Sequence, residues 1–386
     1  MIFGISLIFS FVVHTKPEKL NLMSETISLT KEQDRILSID FFRGFTMFML
    51  VGGIEGLFSK LDPTQVGPVV QFFQQQLSHV PWEGLHAWDL IQPFFMFIVG
   101  VAMPFSLSRR WERGDSWKKT FYHVLTRCFF LLVIGWAISS SATTSNFNNV
   151  MAQLSVTYLI AFLVMRKQIK WQLLISFALI LVSDLLYRFW PVEGFNQAYV
   201  AGKNFGSWTD MMLTGSIEHG DWVPFNAIPT TAHTIWGVIV GMLLMNNWSP
   251  RKKIITLLTI GTTGVIIGFA MSPFIPIIKH ICTSSFIIVS GGWCLIGMGI
   301  SYWFIDVLNF RKVPMFFAVF GMNPLFIYLM AGSFRNFFRG LTTPFISRIF
   351  SWTNEVTLTV ISTAVVAAML WYVCYFLYKR KIFIRL

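Results

Sequence analysis

The chain contains ten apolar segments, each about 20 residues long, which is the length that an α-helix needs to cross a hydrocarbon core about 30 Å thick. Charged residues make up only 12% of the sequence, against about 25% in soluble domains. The sequence therefore predicts an all-α fold, a polytopic integral-membrane helical bundle with about ten transmembrane helices. The segments lie at approximately 37–58, 88–107, 121–140, 148–165, 171–190, 226–246, 253–273, 283–305, 313–333 and 354–378.

The region before the first of these segments is mostly polar. Residues 2–13 are apolar, but they are too few to span a bilayer. They also lack the basic start and the small-residue cleavage site of a signal peptide. We expect residues 1–35 to form a polar, poorly ordered N-terminal tail and residues 36–386 to form a single transmembrane domain.

Basic residues are unevenly divided between the loops. Of the 30 lysines and arginines, 23 fall on the face that also carries both termini. Cytoplasmic loops carry such an excess, so both termini are predicted to be cytoplasmic. The formal net charge of +12 then reflects topology, and we expect a lipid bilayer but no nucleic acid as a partner. The four cysteines show neither metal-ligand spacing nor a disulfide framework, so no metal site is expected.

Residues 78–100 place titratable groups at the edge of an apolar segment. His79 and Asp89 are predicted at the outward-facing mouth of the second span, with Trp82 between them. Ionisable groups at a membrane edge are costly and are therefore functional candidates, although each one alone is more often a satisfied structural group. Together with other polar residues at the same level they predict an outward-facing polar cleft for ligand binding or acid–base chemistry. Those other residues are Glu55, His233, Lys279, Ser284 and Asn323.

A second group lies at the cytoplasmic start of the first segment. Asp40 and Arg43 are three residues apart, so they share a helix face and can pair. One interpretation is an ion pair that orients the helix. The other is that Arg43 receives the phosphates of a nucleotide-like donor from the cytosol.

Three sequence blocks resemble one family of membrane enzymes. They are RILSIDFFRGFTMFML at 35–50, the HxxWxG block at 79–84 followed by Asp89 and Pro93, and FGMNPLFIY at 320–328. In order and spacing they are similar to the heparan-α-glucosaminide N-acetyltransferase family and its bacterial membrane relatives. The HxxWxG block beside a transmembrane helix is the most specific of the three.

The resemblance implies an acetyl-CoA-dependent N-acetyltransferase. It would take acetyl from cytosolic acetyl-CoA and deliver it to an amino sugar on the other side of the membrane. The histidine of the HxxWxG block is the family's active-site residue, which here is His79. A neutral imidazole can accept a proton from an amine near neutral pH, or it can carry the acetyl group itself. Both mechanisms stay open.

The resemblance also suggests roles for the other polar residues. Asp89 would orient the His79 ring or hold a sugar hydroxyl, Asn323 would donate to an oxyanion or contact the sugar, and Lys279 would be a charge partner. Further saccharide contacts are expected from Trp82, Glu55, His233 and Ser284. Arg43 and Asp40 are the candidates for binding acetyl-CoA.

Departures from the family pattern concern the acceptor more than the reaction. Ile278 and Cys282 stand where relatives carry Asn and Trp, and Gln92 interrupts the apolar face of the second span. We expect a glycan-derived amino sugar or a cell-envelope saccharide as the acceptor. The expected location is the inner (plasma) membrane of a bacterium.

Two other classes of function remain open, as does assembly into a homodimer. One is a proton-coupled transporter of sugars or amino sugars, in which His79 and Asp89 form the gate. The chain shows none of the internal repeats that are typical of many transporters. The other is a membrane scaffold whose polar residues only pack.

Overall fold

The computed structural model describes residues 36–52, 67–139, 147–217 and 222–384. These ranges are helical, and their only strand-like feature is a single antiparallel bridge between Glu83 and Ile278. The α-helices are α1 Leu37–Val51, α2 Pro68–Gln76, α3 Ile91–Glu112, α4 Trp117–Ser139, α5 Val150–Val164, α6 Ile169–Phe189, α7 Phe205–Thr214, α8 Ala227–Met245, α9 Pro250–Met271, α10 Ser284–Tyr302, α11 Lys312–Met322, α12 Pro324–Ile349 and α13 Glu355–Lys379. Short 3₁₀ turns at Ala87–Leu90 and Pro224–Asn226 precede α3 and α8, and a π-helical turn at Trp303–Val307 follows α10.

Each of the ten apolar segments coincides with at least one of these helices, which confirms an all-helical membrane architecture. Seven helices of the described part are long and apolar enough to cross a membrane, and eight if α11 and the start of α12 count as one bent span. The predicted number of about ten is not reached there. One reason is that α5 has only 15 residues. The first predicted span continues past Gly52 into residues outside the described part, where Glu55 and residues 1–35 also lie.

The spans form a buried centre and a lipid-exposed periphery. Within one apolar stretch of 18 residues in each of the spans that contain α3, α8 and α10, 67%, 72% and 67% of the residues are buried inside the protein. The corresponding share is 22% for α4, α6 and α9 and 17% for α13. A helix that is apolar on all sides and mostly exposed needs an apolar solvent, which the bilayer supplies.

Glycines allow the central helices to approach closely. A Cβ atom on Gly100 of α3 would lie 2.1 Å from the carbonyl oxygen of Thr234 in α8, and one on Gly237 would lie 2.1 Å from that of Phe97. Helix contacts in membranes depend on such small residues because lipid leaves no hydrophobic gain for helix association. The α3–α8 pair thus forms a tight axis for the bundle.

A sharp bend separates α11 from α12. The two helices meet at Asn323 and Pro324 with an angle of 75°. Proline cannot donate the hydrogen bond that would continue the helix, so the break falls where the sequence places Pro324. The helix α12 then continues to Ile349, well beyond the predicted end of the ninth segment at 333.

Candidate active site

Two loops meet at one end of α3 and α10. Glu83 and Ile278 form the backbone bridge, and the N–H of Gly84 donates to the carbonyl of Ile277 at 2.8 Å. Gly84 has a φ of +131°, a conformation that is open to glycine and strained for other residues. This turn brings the loop with His79 against the loop with Lys279.

Asp89 is the buried centre of the resulting cluster. It lies in the 3₁₀ turn before α3 and is 1% exposed. Its Oδ2 accepts hydrogen bonds from the backbone N–H groups of His86 at 3.0 Å and Val80 at 3.4 Å. Its Oδ1 lies 2.8 Å from Nδ1 of His79 and 3.3 Å from Nζ of Lys279. Backbone donors therefore fix one oxygen and leave the other for the side chains of His79 and Lys279.

His79 is partly exposed, whereas Asp89 and Lys279 are buried. Its side chain is 40% exposed, and Nδ1 faces Asp89. An ionised carboxylate only accepts hydrogen bonds, so Nδ1 carries the proton when the ring bonds to Asp89. Nε2 is then unprotonated in the neutral ring and is the atom that can accept a proton from a ligand.

Lys279 completes the cluster from the loop before α10. Its Nζ lies 3.0 Å from Nδ1 of His79 and 3.3 Å from Oδ1 of Asp89. It also lies 4.9 Å from the centre of the Trp222 ring, within range of a cation–π interaction. Lys279 is only 5% exposed. A buried ammonium needs a counter-charge, and Asp89 supplies it.

Aromatic rings line the cluster. The Trp222 ring lies 5.7 Å from that of His79 and 4.2 Å from that of His280. Trp82 also stacks on the His280 ring, with the ring centres 5.4 Å apart, and its indole N–H donates to the carbonyl of Tyr199 at 2.8 Å. Trp82 thus borders the cluster through His280, and its role in saccharide binding stays a prediction.

Trp222 and His280 also border the cluster, and neither was among the site residues predicted from the sequence. Trp222 lies between α7 and the 3₁₀ turn that precedes α8, and the amide of Asn148 donates to its carbonyl at 2.7 Å. His280 follows Lys279 directly and is 6% exposed. Burial, together with the nearby charge of Lys279, lowers the pKa of His280 to about 4. Its position beside Lys279 was the one signal available in the sequence.

Cys282 lies in the same loop but is unsuited to nucleophilic chemistry. Its thiol is 2% exposed and donates to the carbonyl of Lys279 at 3.2 Å. Burial raises the pKa of this thiol well above its usual value, and a protonated thiol is a poor nucleophile.

The remaining outer candidates are less closely tied to His79. Ser284 begins α10, five residues after Lys279, and is 7% exposed. His233 is fully buried between α8 and α10, where its Nε2 lies 2.9 Å from the hydroxyl of Ser290 and 3.2 Å from the carbonyl of Ile287. Within the described residues no hydrogen bond or ring contact joins His233 to His79.

Asp40 and Arg43 pair as the sequence predicts. Nη2 of Arg43 lies 2.7 Å from Oδ1 of Asp40, and Nε donates to the carbonyl of Gly321 at 2.5 Å. Asn323 lies two residues after Gly321 and bonds to the backbone of Ile382 and Ile384. The bend between α11 and α12 therefore places Asn323 with the Arg43 group, and within the described residues it makes no contact with the His79 cluster.

In the described part of the chain, no group of three or more His, Cys, Asp or Glu side chains lies close enough together to hold a metal ion. The polar centre is built instead from an imidazole, a carboxylate and an ammonium. Such a set suits proton transfer at the edge of an apolar bundle.

No protein-family model matches the chain. Human heparan-alpha-glucosaminide N-acetyltransferase is 22% identical over 444 residues, which cover 96% of this chain and 62% of the human protein. Mouse heparan-alpha-glucosaminide N-acetyltransferase is 29% identical over 102 residues, or 26% of this chain and 13% of the mouse protein. This chain thus spans 62% of the length of its human relative. The identity is low, but the similarity runs along almost the whole chain and supports the family that its motifs resemble.

Proposed function

We propose that the protein is an integral-membrane acetyltransferase that moves an acetyl group from acetyl-CoA to the amine of an amino sugar. The observation that carries the proposal is the half-exposed His79 ring, whose Nδ1 faces the buried carboxylate of Asp89 at 2.8 Å. The relatives are named as N-acetyltransferases, which supports this reaction class and does not favour the transporter hypothesis.

In the proposed reaction His79 is the general base. Its Nε2 takes the proton from the amine as the amine nitrogen attacks the thioester carbonyl carbon. The C–S bond breaks, and the CoA sulfur leaves as a thiolate that recovers the proton from the imidazolium. Asp89 holds the ring and stabilises the transient imidazolium, a positioning role that a buried carboxylate fills well.

Lys279 supplies positive charge next to the reacting atoms. Its ammonium lies 3.0 Å from the His79 ring and is shielded from water. A fixed charge in a site of low dielectric stabilises developing negative charge more strongly than one in water. We infer that it favours the tetrahedral oxyanion or the departing thiolate. Transfer through an acetylated His79 stays open as a second mechanism.

We assign the donor to the cytoplasmic side and the acceptor to the outer side. Arg43, held by Asp40, would bind phosphate oxygens of acetyl-CoA. The aromatic rings of Trp82 and Trp222 would face the sugar. A cell-envelope or glycan-derived saccharide in the inner membrane of a bacterium remains the proposed setting. We also predict that Ser284, His233 and Glu55 contribute to saccharide binding. Assembly into a homodimer is a further prediction.

Acetyl transfer in proteoliposomes tests the proposal. Labelled acetyl-CoA is added with a panel of amino sugars to the wild type, His79→Ala and His123→Gln. His123 is a matched control because it contacts Arg110 at the opposite end of α3. We expect His79→Ala to lower the rate about 10²–10⁴-fold, the usual effect of removing a general base, and His123→Gln to retain it.

Label that stays on the protein after a short reaction would favour the acetyl-histidine mechanism. A His79→Ala variant that is folded and as active as the wild type would disprove the role of His79. A wild type that neither binds CoA nor acetylates any sugar would disprove the function itself.

A further inference from the structure

The chain reverses direction at the end of α13. Lys381 has a left-handed φ of 56°. Its N–H donates to the carbonyl of Tyr378, and the N–H of Ile382 donates to that of Leu377, both at 2.9 Å. This bond pair is the Schellman motif, in which glycine is the usual left-handed residue. After this turn, residues 382–384 reach the side chain of Asn323.

Asn323 binds the returning segment through both ends of its amide. Its Nδ2 donates to the carbonyl of Ile382 at 2.9 Å, and its Oδ1 accepts from the N–H of Ile384 at 2.8 Å. These two backbone groups come from alternate residues, the spacing by which one strand binds the edge of another. Asn323 is fully buried, so its amide needs such partners.

The docked segment lies beside the Arg43 group. Gly321, two residues before Asn323, accepts the hydrogen bond from Nε of Arg43 at 2.5 Å. Tyr378 packs against the cluster that contains Leu37 and Met322. The start of α1, the bend before α12 and the C-terminal segment therefore meet at one place.

We propose that residues 380–384 form a C-terminal strap that covers this end of the bundle and leaves Asn323 when an anionic, phosphate-bearing donor binds at Arg43. This inference rests on the proposed function, which brings such a donor to the same residues. The strap carries Arg380 and Lys381, and these cations would give up the Asn323 contact in order to pair with the phosphates of a donor bound at Arg43. The left-handed Lys381 also makes the docked turn less favourable than a glycine would, which suits a contact that opens and closes.

Amide hydrogen exchange of the C-terminal peptide measures docking directly in the full-length protein. Asn323→Ala removes both bonds, and we expect exchange in residues 382–384 to accelerate about tenfold. Lys381→Gly relieves the left-handed conformation and should slow the same exchange several-fold. Asn354→Ala is the matched control, because that amide accepts from Thr357 at the other end of α13, and it should change nothing at the strap.

Adding CoA to the wild type tests the coupling, and we expect faster exchange in the strap. If Asn323→Ala did not change amide exchange in residues 382–384, the docking of the strap on Asn323 would be wrong. CoA that binds, as shown by a thermal shift, without altering exchange would overturn the coupling to the donor. CoA that binds neither the wild type nor a variant truncated before Arg380 would instead overturn the proposed function.

Discussion

The two oxygens of Asp89 hold different kinds of partner. Backbone N–H groups of Val80 and His86 occupy Oδ2, whereas His79 and Lys279 share Oδ1. The backbone bonds fix the carboxylate, so the position of the His79 ring follows from the fold of the loop. We therefore propose that Asp89 positions the His79 ring, and its carboxylate is also the counter-charge of the buried Lys279 ammonium.

Replacing Asp89 with Asn should damage both stability and activity. The variant leaves the ammonium of Lys279 buried without its counter-charge, a change that costs about 3–5 kcal/mol. We expect a lower unfolding temperature in detergent and loss of acetyl transfer. Asp115→Asn is the control, since Asp115 pairs with the exposed Lys119. Equal unfolding temperatures for Asp89→Asn and the wild type would contradict the buried ion pair.

His280 should make stability depend on pH. Its pKa is lowered to about 4 by burial and by Lys279, whereas an unfolded histidine has a pKa of about 6.5. Between about pH 6.5 and pH 4 His280 binds a proton in the unfolded chain but not in the folded site. The free energy of unfolding therefore falls as the pH drops through this range. We expect His280→Gln to reduce this loss, measured as unfolding temperature against pH. An unchanged pH profile would show that His280 is not the group responsible.

At the scale of elements, the contact between α3 and α8 depends on the absence of two side chains. Gly100 and Gly237 face each other, and a Cβ atom on either would lie 2.1 Å from a backbone carbonyl oxygen of the partner helix. No rotamer can relieve such a contact, so the helices would have to separate.

Gly100→Ala should therefore destabilise the bundle by about 1–3 kcal/mol, the usual cost of overpacking. Gly340→Ala in α12 is the matched control, because a Cβ atom there meets nothing within 4 Å. Thermal unfolding in detergent compares the two. If both alanines had the same small effect, the close packing of α3 on α8 would be wrong.

At the scale of the whole molecule, the charge distribution predicts which loops face the cytoplasm. The loop between α3 and α4 is basic and should face inward, and the long loop between α6 and α8 should face outward. The four native cysteines, Cys128, Cys282, Cys294 and Cys374, are buried. A new surface cysteine therefore reports its own side of the membrane with little background.

Lys203→Cys and Lys119→Cys test this orientation. Both positions are exposed, one in the outer loop and one near the start of α4. We expect a membrane-impermeant maleimide to label the first in intact cells and the second only after permeabilisation. The reverse pattern would invert the topology and move the His79 site to the cytoplasmic face.

The sequence by itself determined the helical membrane architecture and the pairing of neighbours in the chain. Long apolar segments form helices in a membrane because lipid offers no hydrogen-bond partners, and a helix pairs its own backbone N–H and C=O groups. Asp40 and Arg43 pair because three residues along a helix bring their side chains to one face. His79 and Asp89 were likewise predicted to lie together at the mouth of one span.

Only the tertiary structure decided which distant segments meet. Lys279 contacts Asp89, which lies 190 residues away in the sequence. The Trp222 ring packs near that of His79. Asn323 binds the C-terminal strap and not His79. The short length of α5 likewise became visible only in the folded chain. Helix length and apolarity are local properties, whereas these contacts depend on how bends and close helix packing orient whole elements.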